Sequence, residues 1–310
     1  MCRYKSAIAT LLTAAATTLL ASENVPHAPF AQWADLPERG QFVAGLVYQE
    51  SEAYHIWAKN TYHNVTVRAA DGEDYGIDIN QGYVPLQFGL TEKWALDLSV
   101  GYTTVGWRYF SNHSPDFQPE STSGLMDVSF GVRYQVCKEN LKDSPWRPTL
   151  TLRAGAVLPG AYEQAFPFAP GNRSAAIEPE LLLRKHFGWP GLGFYNDSLF
   201  RWNRTTHNDE YIEAVGFFQQ IKGWELDVGY RRLGTIQGED IRLLPNREIY
   251  YPVMIRENSD SIEAGFSFTT SKRHFQYGFY ARDVIGGVNS DGKFWVGGYV
   301  NLPLGGKKPE

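Results

Sequence analysis

The segment Trp94-Ala-Leu-Asp-Leu-Ser-Val-Gly-Tyr102 alternates strictly between two kinds of side chain. Every second residue, counted from Trp94, is large and apolar, whereas the residues between them are alanine, aspartate, serine and glycine. A period of two is that of a β-strand, in which successive side chains point to opposite faces. The segment therefore predicts a strand with one apolar face and one small or polar face.

The same alternation recurs after residue 40, and no sustained helical period of 3.6 residues interrupts it. Other clear examples are residues 126–136, 149–158, 224–231, 261–268 and 275–282. The candidate strands are 41–49, 75–90, 93–109, 124–138, 146–159, 175–187, 192–204, 209–221, 224–237, 260–270, 274–286 and 292–304. Several are longer than the roughly 5–6 residues of a globular strand and fit the roughly 9–11 residues of a tilted membrane-crossing strand.

The connections between these strands differ in length in a regular way. Odd-numbered connections are mostly long, as at 50–74 and 238–259, whereas even-numbered ones are mostly tight, as at 90–93 and 222–223. Outer-membrane barrels have short periplasmic turns and long external loops. A soluble sandwich has no reason to alternate in this way. We therefore predict an all-β, antiparallel transmembrane β-barrel of about 12 strands (range 10–14), with both termini on the periplasmic side.

The composition excludes several other classes of protein. The chain has 310 residues, of which 43% are hydrophobic and 15% aromatic, and this is too apolar for intrinsic disorder. Two cysteines cannot build a disulfide scaffold, and 29 Lys and Arg against 34 Asp and Glu exclude a basic nucleic-acid surface. A polytopic helical membrane protein is excluded because the one long apolar run lies at the start of the chain.

That apolar run has the features of an export signal. Arg3 and Lys5 precede an uncharged stretch at 7–21, which ends in a small residue before a polar pair. It is too short to cross a membrane comfortably, and the alternative is an N-terminal helix of the folded domain. We expect residues 1–21 to be a signal peptide, 22–40 an irregular segment, 41–304 the barrel and 305–310 a short tail.

Two hairpin segments resemble a known family. They are Gln87-Phe-Gly-Leu-Thr-Glu-Lys-Trp-Ala-Leu-Asp-Leu-Ser-Val-Gly-Tyr102 and Gly124-Leu-Met-Asp-Val-Ser-Phe-Gly-Val-Arg-Tyr134. Both resemble signatures of the outer-membrane transporter family named for the meta pathway of phenol degradation. The resemblance implies a Gram-negative-type outer-membrane barrel that lets small hydrophobic or aromatic compounds through. The chain departs from many bacterial barrels at its end, because the last strand-like aromatic residue is Tyr299.

In a barrel that crosses a bilayer, the apolar face meets lipid and the polar face lines the lumen. The predicted pore-lining residues carry charges of both signs: Asp97, Asp127, Arg133, Arg153, Glu180, Arg184, Arg201, Asp227, Arg231, Glu263 and Arg282. Such charges can set up a field that selects solutes. Alternatively, they pair across neighbouring strands and fill a narrow barrel, which we favour for any single residue.

The sequence contains no pattern that points to catalysis or to a cofactor. The seven histidines are scattered, which argues against a metal site. His113-Ser114 lies among turn-forming residues and favours a solvated loop over a catalytic pair. We therefore predict no catalytic residue, no metal and no cofactor.

The function favoured by the sequence is a channel or transporter for small solutes. Its expected partners are outer-membrane lipid, the barrel-assembly machinery and an unidentified small solute. The alternatives are a non-transporting structural or adhesion barrel that acts through its long loops, a barrel enzyme that acts on lipid, and a soluble secreted β-sandwich. A conductance or uptake assay separates the first two.

Overall fold

The structure is a computed structural model that describes most of the chain after residue 29. The described residues are 30–58, 61–64, 67–68, 74–75, 77–108, 119–162, 173–187, 191–204, 208–240, 242–243, 249–250, 256–271 and 274–306. The predicted signal peptide at 1–21 lies outside them, as does His113-Ser114. Within the described residues, no helix combines the length and the apolar character needed to cross a membrane.

Twelve antiparallel strands form one closed barrel, which confirms the predicted fold class. In chain order they are β1 Gln41–Ala58, β2 Ile77–Gly89, β3 Trp94–Arg108, β4 Val128–Cys137, β5 Thr149–Leu158, β6 Ala176–His186, β7 Leu192–Asn203, β8 Glu210–Ile221, β9 Trp224–Thr235, β10 Asn258–Thr269, β11 Gln276–Val288 and β12 Ser290–Gly305. Each strand pairs with the next, and β12 returns to β1, where Gln41 lies opposite Gly305. An extra strand, Pro119–Leu125, pairs with the C-terminal half of β3, Tyr102–Arg108.

The two ends of the barrel differ, as the connection lengths predict. One end, here called the turn end, holds the start of β1 at Gln41, the end of β12 at Gly305 and the tight turns after β2, β6, β8 and β10. The turn Lys222-Gly223 has φ angles of 49° and 88°, the left-handed pair that a two-residue type I′ hairpin requires. The opposite end, the loop end, carries the long connections after β1, β3, β5 and β9.

The barrel has an apolar outside and a polar inside. Leu46, Phe217 and Phe279 are more than 60% exposed on the outer face. Charged residues such as Arg133 and Glu263 are fully buried on the inner face. A continuous apolar outer surface is stable in lipid but not in water. This arrangement rules out the soluble sandwich, in which the apolar faces would meet in a core.

Two details differ from the sequence-based prediction. β1 extends to Ala58, nine residues beyond the predicted end, because its pairing with β12 continues past Glu50. Met126 was expected on the outer face with Val128, but it is 2% exposed. The chain leaves the strand pattern at Met126 and Asp127, between Pro119–Leu125 and β4, and this interruption turns Met126 inward.

Candidate functional site

A chain of ion pairs crosses the barrel interior and joins several of the predicted pore-lining residues. Nε of Arg153 on β5 donates to Oδ1 of Asp97 on β3 at 2.9 Å. Nη1 of the same guanidinium lies 3.3 Å from Oε2 of Glu178 and 3.4 Å from Oε2 of Glu180, both on β6. All four side chains are at least nine-tenths buried. One arginine thus neutralises carboxylates from two strands.

The network continues toward β8 through Arg201 on β7. Its Nε donates to Oε1 of Glu178 at 2.7 Å, and its Nη1 lies 3.2 Å from Oε2 of Glu210. Each charge therefore has an opposite charge within about 3.5 Å, which is the condition for burying ionised groups at moderate cost. Pairing across the wall, the alternative favoured for individual residues, is what the structure shows for Arg153 and Arg201.

Arg153 reaches β3 because the intervening strand offers it space. A Cβ atom added to Gly131 on β4 would lie 2.7 Å from Nε of Arg153. The absence of a side chain at Gly131 lets the guanidinium cross from β5 to Asp97, and on the way its Nη2 donates to the Ser129 hydroxyl of β4 at 3.0 Å. The small residues of the alternating pattern therefore create the room that the charged network occupies.

The segment that precedes β1 lies inside the barrel at the turn end. It begins with a short 3₁₀ helix, Phe30–Ala34, which contacts β5, β6, β7 and β8. We call residues 30–38 the inner segment. Arg133, on β4, holds it through two hydrogen bonds, from Nη1 to the carbonyl oxygens of Trp33 (3.0 Å) and Asp35 (3.3 Å), while its Nη2 donates to Gln87 on β2 (2.6 Å). The guanidinium also stacks 4.2 Å from the Trp33 ring centroid.

Other side chains of the wall bind the inner segment on its remaining sides. The Thr151 hydroxyl donates to the carbonyl of Ala34 at 2.6 Å. Arg184 pairs with the carboxylate of Asp35. Nε2 of Gln32 donates to Glu225 on β9 at 2.8 Å. Contacts therefore reach the inner segment from strands around most of the barrel, and they are side-chain contacts, not strand pairing.

A second group of predicted residues lies on the wall formed by β9, β10 and β11. Glu263 accepts a hydrogen bond from the Tyr195 hydroxyl at 3.1 Å and lies 3.6 Å from Nε of Arg282. Asp227 lies across Gly265, and its buried Oδ1 makes no hydrogen bond in the part of the chain that the structure describes.

The remaining two predicted residues lie nearer the loop end. Oδ1 of Asp127 accepts hydrogen bonds from the backbone of Gly160 (2.8 Å) and from the Tyr162 hydroxyl (3.1 Å), so this carboxylate fastens a loop-end turn. Arg231 lines a small internal cavity of about 20 Å³ together with Arg153, Glu178, Asp197 and Arg201 among others.

The sequence-based reasoning thus placed all eleven residues on the inner side but missed what several of them bind. Arg133 and Arg184 hold the inner segment, which was expected only as an irregular stretch. Glu210 and Asp197 were not predicted as site residues. Both alternate with outward residues on β8 and β7, so the period-two pattern could have identified them.

The described residues contain no arrangement typical of catalysis. His186 contacts Glu139 and Gln220, not a serine. No group of three or more His, Cys, Asp or Glu side chains within the described ranges could hold a metal ion.

Comparisons with known proteins identify the fold. No protein-family model matches the chain, and no curated protein matches it. Among solved structures, an outer-membrane channel from Pseudomonas putida F1 is similar, with a TM-score of 0.65, 13% identity, 91% of this chain covered and 100% of that one. The chain has the fold of an outer-membrane β-barrel. The family suggested by the two hairpin segments stays a prediction.

Two further barrels align with lower similarity and show no more than general likeness. The CymD monoaromatic hydrocarbon channel has a TM-score of 0.42 at 9% identity, over 94% of this chain and 95% of that one. The translocator domain of the autotransporter NalP from Neisseria meningitidis has a TM-score of 0.43 at 11% identity, over 97% and 96%.

Proposed function

We propose that this protein is an outer-membrane channel for small solutes whose path runs through the barrel. The observation that carries the proposal is the inner segment. It lies across the turn end of a closed barrel and is held by side-chain hydrogen bonds that can break without disturbing the strands. A segment held in this way can leave the lumen while the barrel stays intact, which a gated path through the barrel requires. The fold shared with a solved outer-membrane channel supports the proposal.

Export and membrane insertion follow from the same proposal. Residues 1–21 would act as the signal peptide, the barrel-assembly machinery would insert the chain, and the outward apolar face would contact outer-membrane lipid. The turn end, which carries both ends of the barrel chain, would then face the periplasm. The inner segment would close the periplasmic side of the path.

The inner wall suggests which solutes to test first. The cavity beside the ion-pair network is lined by the guanidinium groups of Arg201 and Arg231, together with carboxylates. Small organic solutes that carry a charge could exchange contacts with such a wall. The family resemblance suggests that hydrophobic and aromatic compounds should be tested as well. A series of neutral aromatic solutes, aromatic carboxylates and sugars of similar size therefore tests the solute class.

The experiment compares the wild-type barrel with a variant in which the inner segment is released. Trp33→Ala with Asp35→Asn removes the ring stacked on Arg133 and the carboxylate paired with Arg184. We expect this double variant to raise single-channel conductance and liposome swelling several-fold. Heat-modifiable gel mobility shows first that the barrel is folded.

The chain offers a matched control. Trp146 and Asp143 are both exposed in the turn that joins β4 to β5, so Trp146→Ala with Asp143→Asn makes the same chemical changes outside the barrel interior. We expect it to conduct like the wild type. If the folded wild type and the release variant both fail to pass ions or any solute of the series, the channel proposal is wrong. The paired charges that fill the interior would then favour a non-transporting structural barrel.

A further inference from the structure

A chain of hydrogen bonds crosses the turn end of the barrel and passes through the inner segment. It begins in the turn after β4, where Oε2 of Glu139 lies 2.5 Å from Nδ1 of His186, the last residue of β6. Nε2 of His186 lies 3.1 Å from Oε1 of Gln220 on β8, and Nε2 of Gln220 donates to Oε2 of Glu225 on β9. The same carboxylate oxygen accepts the hydrogen bond from Gln32 of the inner segment. We call these five residues the turn-end relay.

The hydrogen bonds continue beyond the relay to the opposite wall. Nε2 of Gln276 on β11 donates to Oε1 of Gln32 at 2.8 Å, and Nδ2 of Asn301 on β12 donates to Oε1 of Gln276 at 3.0 Å. The amide of Gln32 is therefore held at both its nitrogen and its oxygen, from two sides of the lumen. The position of Gln32 thus depends on the state of the groups to which it is bonded.

The acceptors of the relay determine where its protons lie. Oε2 of Glu225 accepts from two amide nitrogens, so Gln220 turns its nitrogen toward Glu225 and its oxygen toward His186. Glu139 is also an acceptor, because Nζ of Lys185 and the backbone N–H of His186 both donate to its Oε1. Both ring nitrogens of His186 therefore face acceptors, and an imidazole donates from both nitrogens only when it is protonated. The intact relay requires the charged form of His186.

We propose that the protonated ring of His186 keeps the inner segment in place and that loss of its proton releases the segment. Histidine is the side chain whose charge ordinarily changes between about pH 5 and 8. The His186 side chain is 12% exposed at the turn end, so protons can reach it from the water on that side. The inference rests on the proposed function only for its consequence, which is a path closed in acid and open at higher pH.

Loss of the proton changes the bonds of the relay one after another. Nδ1 keeps its proton against the carboxylate of Glu139, so Nε2 becomes an acceptor that faces the oxygen of Gln220. Because two acceptors repel, the Gln220 amide turns its nitrogen toward the ring and its oxygen toward Glu225. The carboxylate of Glu225 then loses one of its two donors and is repelled by the other end of the amide. Its hold on Gln32 is weakened as a result.

The direction of the pH effect separates His186 from the other charged groups around it. Protonation of Glu139, Asp35 or Glu225 would remove a contact that holds the inner segment, so each of these would release it as the pH falls. Deprotonation of His186 releases it as the pH rises, while lysine and arginine keep their charge over this range. The groups that surround the ring are Lys185 and Arg184 on β6, Arg133 on β4, Lys138 and Glu139 after β4, Asp35 in the inner segment, and Glu225 behind Gln220.

Thiol labelling of the full chain in lipid nanodiscs measures release of the inner segment without any need for conduction. With Cys2 and Cys137 changed to serine, Ala34→Cys introduces a single thiol at a position that is 2% exposed. Trp146→Cys introduces an exposed thiol in the turn after β4, and its labelling rate corrects for the thiolate fraction at each pH. We expect a water-soluble maleimide to label Ala34→Cys about fivefold faster, after this correction, at about pH 8 than at about pH 5.5. Heat-modifiable gel mobility shows first that each barrel is folded.

Two pairs of variants show whether the pH dependence comes from the relay. His186→Gln should abolish it, because glutamine does not titrate, whereas the same change at His274, which is exposed in the turn after β10, should preserve it. Gln220→Leu should also abolish it, because this change separates Glu225 from a histidine that can still titrate. Gln219→Leu is the matched control, since Gln219 is the neighbour of Gln220 on β8 and points to the other face, and it should preserve the pH dependence.

Several outcomes would overturn the proposal. They are a corrected labelling rate that does not change with pH, a rate that rises as the pH falls, and a fivefold rise that persists in folded His186→Gln or Gln220→Leu. Conductance of the same barrels separates this inference from the proposed channel. If labelling follows the pH as expected but no ions pass at either pH, His186 controls the inner segment and the channel proposal alone is wrong.

Discussion

Tyr195 on β7 and Glu263 on β10 are joined by a hydrogen bond although two strands lie between them. The tyrosine hydroxyl donates to Oε1 of Glu263 at 3.1 Å. The ring reaches this far because it lies over Gly216 on β8 and Gly229 on β9, where an added Cβ atom would collide with it. Two glycines on adjacent strands thus form a groove that holds one tyrosine against the inner wall.

Gly229→Ala should therefore destabilise the barrel. The new methyl carbon would lie 2.2 Å from the Tyr195 hydroxyl oxygen, so the ring would have to leave its groove or the strands would have to shift. Overpacking of this kind costs about 1–3 kcal/mol. Urea unfolding of the refolded barrel in lipid vesicles measures the loss. Gly286→Ala is the control, because a Cβ at Gly286 on β11 meets nothing within 4 Å.

A double variant shows whether the hydroxyl is the cause. Tyr195→Phe removes the atom nearest to the added methyl group, so it should restore part of the stability lost in Gly229→Ala. If the two substitutions are simply additive, the groove is not a close contact, and the argument from the geometry is wrong.

The strands could be predicted because each one repeats a strong local pattern. In β3 and β9, large apolar residues alternate with small or charged ones, and the tight turns between strands carry their own signals, such as Lys222-Gly223. The position of Met126 could not be predicted, since a local interruption shifted the alternation by one residue. The closure of β12 on β1 depends on residues more than 230 positions apart, such as Gln41 and Gly305.

The sequence predicts that these charged side chains point into the barrel, but it does not identify their ion-pair partners. A period of two assigns Arg153 to the polar face and says nothing about which carboxylate it meets. Arg153 crosses β4 over Gly131 to Asp97, and this contact depends on the register between three strands. The inner segment at 30–38 has no periodicity, so its place inside the barrel follows only from the tertiary contacts with Arg133 and its neighbours.

Arg153→Met should be among the most destabilising substitutions on the inner wall. Methionine keeps much of the volume but removes the guanidinium shared by Asp97, Glu178 and Glu180. Asp97 then keeps the longer contact to Arg133, at 3.7 Å. Breaking a buried ion pair in this way costs about 3–5 kcal/mol. Chemical unfolding in vesicles gives the value. Arg256→Met is the matched control, because Arg256 pairs with Asp240 at an exposed site, where about 1 kcal/mol or less is expected. Similar losses in both variants would contradict a special role for the network.

Arg133→Lys should loosen the inner segment although the positive charge is kept. An ammonium group cannot reproduce the forked donors that reach Trp33, Asp35 and Gln87 together. If the substitution weakens the binding of the inner segment inside the barrel by about 1.4 kcal/mol, the population of barrels whose inner segment is released rises about tenfold. Conductance should therefore rise, and the Trp33 indole should become more accessible to a water-soluble fluorescence quencher. Wild-type conductance and quenching in a folded Arg133→Lys barrel would show that these contacts do not hold the segment.

Glu139 makes the turn after β4 sensitive to acid. Its Oε1 lies 2.5 Å from Nζ of Lys185 and accepts the backbone N–H of His186 at 3.0 Å, and its Oε2 lies 2.5 Å from Nδ1 of His186. Burial raises the pKa of this carboxyl, but the hydrogen bonds outweigh burial, so the net pKa lies below its ordinary value of 4.5.

A carboxyl whose pKa is lowered by folding adds stability above its unfolded pKa. That stability is lost as the pH falls through the lowered folded pKa. The unfolding free energy of the wild type should therefore decrease below pH 4.5, the ordinary value for this carboxyl. The Glu139→Gln variant should have a lower unfolding free energy at neutral pH than the wild type. Its unfolding free energy should also decrease less as the pH falls below 4.5. Asp143→Asn, an exposed change in the same turn, should keep the wild-type pH dependence. An unchanged acid slope in Glu139→Gln would mean that these hydrogen bonds contribute nothing to stability.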